Sequence, residues 1–169
     1  MLGFYDNFPL NIHKTESFST TFSNKKLQQR LMRVLRDINR KTFSFEEVAY
    51  PTVPNCIIIF EIGLADAESF NYIDEEETKK VFSALGKAPF QVMDFFCAIR
   101  YHKSLGEKKK SLKFDYYMMR TVFGKNVMEI QVFHERGPRY LSPEDILPFL
   151  IKKINETSAR KILKERTHL

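Results

Sequence analysis

The sequence predicts an α+β fold, a mainly antiparallel sheet of roughly four to five strands packed by about three helices. Three observations carry this expectation. Two aromatic-rich apolar runs flank Gly124-Lys125 between Leu112 and Arg136, the pattern of a tight β-hairpin. Leu27, Leu31, Val34, Leu35 and Ile38 recur at helical spacing. Two more helix starts are written in capping residues, at Asp74 and at Ser142.

The first 23 residues are rich in Phe, Ser, Thr and Asn, and they read either as an arm or as an edge strand with Phe18, Thr20 and Phe22 on one side. Ser23 or Asn24 caps a helix expected to run to about Lys41. Cys56 to Ala65 is an unbroken apolar run, as in a central strand covered on both faces, with Gly63 marking a bulge or the strand end. Asp74 and Glu77 open a helix that Gly86 closes and Pro89 keeps from continuing. Phe90 to Lys103 alternates as a strand, with Met93, Phe95, Cys97, Ile99 and Tyr101 on one face and Asp94, Arg100 and His102 on the other. SLGEKKKS reads as an exposed arm between two strands.

In the hairpin, a turn at Gly124-Lys125 pairs Phe123 with Asn126, Arg120 with Glu129 and Asp115 with His134. One face carries Tyr117, Met119, Thr121, Met128, Ile130 and Val132, and the other carries Tyr116, Val122 and Phe133. Ser142 caps the last helix with Pro143 at its first position; Pro148 predicts a kink or a short first segment. The expected organisation is an arm or edge strand over 1–23, one α+β domain over 24–155, and a basic helical tail over 156–169. The element order is α-β-α-β-β-β-α. Its closing helix, three-stranded meander and helix resemble the double-stranded-RNA-binding domain in order. Glu144 and Asp145, however, stand where such domains present lysines to phosphates, so duplex RNA is not implied.

Composition narrows the function. The chain has 169 residues, 43% of them hydrophobic, enough for a proper core without covalent staples. Its two cysteines, Cys56 and Cys97, sit in apolar runs and read as buried free thiols. No stretch has the length of a membrane span or the layout of a secretory leader, so the expected location is the cytoplasm, with no membrane partner. No phosphate-loop, dinucleotide, zinc-protease or nucleophile-elbow motif is present, and neither a cofactor nor a metal is expected.

Charge is unevenly distributed. The net charge is +6, yet Thr42 to Thr78 contains nine acids and no Lys or Arg. Positive charge collects on Lys26, Arg30, Arg33, Arg36 and Arg40, on Lys108, Lys109 and Lys110, and again from Lys152 to the C-terminus. These clusters point to a non-catalytic binding protein whose partner is nucleic acid or a ribonucleoprotein. Complementary acidic and basic patches, with an apolar face at Tyr116, Phe133 and Val122, point instead to a homo-oligomeric interaction module. A small enzyme would have to work through His134 and Asp115, with His102 nearby.

Overall fold

A computed structural model describes residues 1–50, 53–105, 108–111 and 113–166. The hairpin is formed by β7 (Asp115–Gly124) and β8 (Val127–Arg136). Its turn lies at Lys125-Asn126, one position later than expected, and closes Gly124 against Val127. The physical reason is Asn126, which takes the left-handed conformation (φ 58) that a short polar side chain tolerates. Each partner therefore moves by two residues. An even slip keeps every side chain on its expected face, so Tyr117, Met119, Thr121, Met128, Ile130 and Val132 are all buried.

Around this hairpin the strands are β1 (Lys14–Ser19), β2 (Thr42–Ser44), β3 (Cys56–Asp66), β4 (Ser69–Tyr72), β5 (Val92–Leu105), β6 (Lys108–Ser111) and β9 (Lys164–Glu165). They form one antiparallel sheet in the order β2-β3-β5-β7-β8-β1-β9, with β4 attached to β3 and β6 to β5. The sheet is thus wider than the four to five strands expected. The additional strands are short, and such pieces leave too few residues for an alternating pattern to show.

Three helices among the described residues, α1 (Asn24–Asn39), α2 (Glu75–Leu85) and α3 (Pro143–Asn155), share a single core with one face of this sheet. The capping residues do what their chemistry predicts. The Ser23 side chain accepts from Lys26 N, Asp74 accepts from Glu77 N, and Ser142 with Asp145 makes a reciprocal capping box. Gly86 stands at the C-cap of α2 in right-handed conformation. Pro148 does not divide α3, which runs through it with the proline on the exposed side of the helix.

Two buried polar side chains lock α1 to the sheet. Gln28 exchanges hydrogen bonds with the Phe90 backbone (2.7 and 2.9 Å). Asn39 accepts from Ile62 N at 2.8 Å and donates to the carbonyls of Ile62 and Ile73. Each thus meets the hydrogen-bonding needs of its own buried amide on backbone groups of the sheet and its margins.

The helix-free face of the sheet is only partly covered. β3 is closed on both faces at Gly63 and Ala65, but Ile57 and Ile59 are half-buried and Glu61 is exposed. Gly63 lies inside the strand and marks neither a bulge nor its end.

Beyond Ile62 and Cys97, the last of their paired residues, β3 and β5 are bridged by the N-terminal segment. Gly3 N donates to Ala65 O at 2.7 Å, and Gly3 O accepts from Asp94 N at 2.6 Å. Gly3 has φ +87, and a Cβ there would meet the Phe90 ring at 3.1 Å, so both conformation and space call for glycine.

This segment closes over an ion pair. Arg120 does not meet Glu129; it lies opposite Gln131 and forms a two-pronged pair with Asp94 on β5 at 2.7 and 2.8 Å. Asp94 is fully buried and also accepts from Tyr5 N at 2.8 Å. The Phe4 and Phe8 rings lie against the guanidinium at 4.8 and 4.4 Å.

The tail also differs from expectation. Among the described residues, 156–166 contain no helix; Ile162 and Leu163 are buried, and β9 pairs with β1 at Phe18 and Ser19. Residues 167–169 lie outside the described part of the chain. A Leu or Ile pair in a short basic segment fits a helix stripe or a strand equally well, and the contact with β1 decides between them. Asp94→Ala, which strands Arg120 in a covered site, should lower unfolding free energy by about 3 kcal/mol in urea denaturation.

Candidate nucleic-acid interface

The proposed catalytic pair does come together. His134 Nε2 lies 2.9 Å from Asp115 Oδ1, although His134 stands opposite Tyr117 in the ladder. The reach is diagonal, between positions on the same face of the ladder, next to a shift in register between Tyr116 and Tyr117. The rest of the environment shows what the carboxylate does. Asp115 has no exposed surface, and it also accepts from Tyr101 Oη (2.6 Å), Arg139 N (2.6 Å) and Tyr140 N (2.9 Å). Burial, and then the neighbouring Asp115, push the Tyr101 hydroxyl far above its ordinary pKa, so it remains a donor.

Asp115 therefore anchors the loop that leads to α3. Gly137 (φ +116) passes so close that a Cβ would come within 2.5 Å of Asp115 Oδ1. The Tyr117 hydroxyl, itself held protonated by burial, donates to Leu141 O in the same loop. His102 is not part of this cluster. It follows Tyr101 in β5 and so lies on the opposite face, and the other polar residues of that strand are engaged elsewhere, Asp94 with Arg120 and Arg100 with Glu61.

The basic stripe of α1 is largely engaged within the chain. Arg30 donates to Thr157 O at 2.7 Å, Arg33 stacks over Phe82, and Arg36 and Arg40 both pair with Glu75 at 3.2 Å. Lys26 is exposed. Part of the acidic middle is neutralised in this way, as are Asp66 by Lys80 and Glu61 by Arg100. Lys108, Lys109 and Lys110 belong to β6, a strand rather than an arm, but their side chains lie outside what the structure describes.

The third group of sequence candidates has a different setting. Tyr116, Phe133 and Val122 lie on the helix-free face and are half-buried. Tyr116 belongs to an aromatic row crossing the sheet: Phe70 to Phe96 at 5.4 Å, Phe96 to Tyr116 at 5.7 Å, and Tyr116 to Phe114 at 6.1 Å between ring centroids. Phe133 stacks with His13 at 4.7 Å instead.

Beside the row lies a shallow hollow of about 330 Å³, walled by Phe70, Tyr72, Phe96, Phe114 and Tyr116 and floored by Gly63 and Ala98. It exists because two adjacent strands place residues with almost no side chain between aromatic ones. Cations stand at its margins. Arg136 lies over Tyr116 at 4.6 Å, and Arg100, paired to Glu61 at 2.6 Å, keeps a buried Nε with no acceptor among the described residues.

Phe70 and Phe96 were not singled out from sequence. Phe96 was visible as an aromatic residue at a polar-face position of an alternating strand, whereas β4 gave too short a run to place Phe70.

The carboxylate's role as an anchor gives a measurable order of effects. Asp115→Asn, which leaves one oxygen for four donors, should cost about 2 kcal/mol in urea unfolding, and Tyr101→Phe about 1 kcal/mol. Comparison with protein-family models, curated proteins and solved structures finds no match to this chain, so what the site does rests on its own geometry.

Proposed function

We propose that the protein binds unpaired nucleic acid on the helix-free face of its sheet. The observation that supports this reading is the aromatic row of Phe70, Phe96, Tyr116 and Phe114 beside a hollow with Arg136 at its margin, where the one carboxylate of the lining, Glu61, is paired with Arg100. Bases present flat apolar faces, which stack on such rings whatever their identity; the Arg136 guanidinium supplies attraction to the phosphates between them. A duplex hides its bases within the stack and could not use these rings. The net charge of +6 favours any polyanion at long range, but only the rings distinguish an unpaired strand.

Self-association through the same face is the competing reading, supported by the apolar character of Tyr116, Phe133 and Val122. The two differ in what the rings contact. A labelled oligouridylate or oligothymidylate should bind at low salt and dissociate as salt rises. Phe96→Ala and Tyr116→Ala should each weaken it by about 10-fold, in line with the 1–3 kcal/mol typical of one stacked base. Ala98→Leu, which fills the hollow and leaves every ring in place, should weaken binding as well. Absence of binding at low salt, together with a dimer in light scattering that Tyr116→Ala dissociates, would assign the face to self-association.

A further inference from the structure

We infer that the groove between the end of β1, the β7–β8 turn and the C-terminal segment is a phosphate-binding site that takes a run of closely spaced phosphates. The groove measures about 840 Å³ and is lined by Ser19, Thr20, Thr21, Asn126 and the cations Arg160, Lys161 and Lys164. Its lining contains hydroxyl, amide and cationic groups and no carboxylate. Among the described residues, none of the three cations forms an ion pair, in contrast to Arg36 and Arg40 of α1. Three cations without an ion pair, lining one groove with the Thr20 and Thr21 hydroxyls and the Asn126 amide, match a polyphosphate or phosphodiester chain, whose oxygens accept from such donors.

The cationic wall is held in place. Asn155, at the end of α3, accepts from Ile162 N (3.0 Å) and Leu163 N (2.9 Å) and donates to Leu163 O (3.1 Å). Ile162 and Leu163 are buried, and Arg166 N donates to Ser17 O, so the segment carrying Lys161 and Lys164 is fixed on both sides of its apolar anchor. The opposite wall is fixed by Thr20 N donating to Asn126 O at 3.0 Å. Positions are therefore set before a ligand arrives, which limits the ordering cost of binding. Lys161 and Lys164 also line the neighbouring hollow toward α3, where Glu16, Glu156 and Glu165 bound the cationic region.

The site rests on the nucleic-acid reading only for the identity of the phosphate carrier, since the groove and the aromatic face share no residue. Binding of a labelled oligouridylate and of inorganic tripolyphosphate should be measured for the full chain and for the triple variant Arg160→Gln, Lys161→Gln, Lys164→Gln. All three residues are exposed, so the variant should melt as the parent does.

The expected result is at least 10-fold weaker oligouridylate binding, with the slope of log affinity against log salt falling by about 2, as three lost single-strand phosphate contacts require. Phe96→Ala should weaken binding with no change in slope. An unchanged affinity and slope in the triple variant would overturn the groove and leave the stacking face standing. If the parent binds no oligouridylate, the nucleic-acid reading fails, and tripolyphosphate decides the groove alone: binding lost in the triple variant sustains it, and no binding by the parent removes it. Asn155→Ala, which frees the segment while keeping its charges, should weaken whichever phosphate ligand binds.

Discussion

A strand alternates its side chains between two faces, and the three α-helices of the described residues all lie on one of them. Everything else follows from that imbalance. The helix side becomes the core, with Phe60, Phe95, Tyr101 and Tyr117 fully enclosed. The other side is closed only in part, by the first eight residues over Asp94 and Arg120, while the short strand β4 extends the sheet beside the end of β3. Where those pieces end, the aromatic residues of β5 and β7 remain half-open. A buried ion pair is a costly means of covering a sheet, because both groups give up hydration. Here the cost is offset by two short hydrogen bonds between the partners, a third from Tyr5 N, and two rings against the guanidinium.

Charge follows a similar logic of location over total. Five cations on α1 look like a binding face in the sequence, but α2 starts beside the end of α1 and brings Glu75 to Arg36 and Arg40. An acidic first turn is favoured by the dipole of its own helix, so Glu75 serves two purposes. Arg160, Lys161 and Lys164, which form no ion pair among the described residues, stand on the C-terminal segment, which an asparagine and two apolar residues attach to the sheet. Net charge therefore said that a polyanion is a plausible class of partner, while packing decides which cations are available to it.

Much of this was legible before any coordinates. Helix caps at Ser23, Asp74 and Ser142 were readable because they depend on residues within one turn. The faces of the hairpin were readable because a two-residue period survives an error of two in register. Register itself was not, since it depends on whether Gly124 or Asn126 takes the left-handed position, and both residue types are suited to it. The contact between Asp115 and His134 was expected from a direct pairing and is made instead on the diagonal, since His134 stands opposite Tyr117. The partner of Arg120 was out of reach because Asp94 lies 26 positions away on a strand whose neighbour the sequence does not name. The same applies to Gly3, whose task depends on the gap between two distant strands.

The hydrogen-bond count around Asp115 bears most directly on what kind of protein this is. A carboxylate placed only to orient an imidazole would need no more than the one hydrogen bond to it. Asp115 instead receives four donors from three separate stretches of chain: one side chain on β5, one on β8 and two backbone amides of the loop before α3. Moving any of them to serve a reaction would loosen the junction between sheet and helix. The polar centre most like an active site is thus tied to the fold. Aromatic rings in one place and cations without ion pairs in another are what the proposed reading draws on. Division of labour between them would match how unpaired strands are held in general, with phosphate contacts supplying affinity that salt weakens and stacking supplying contacts that tolerate any base.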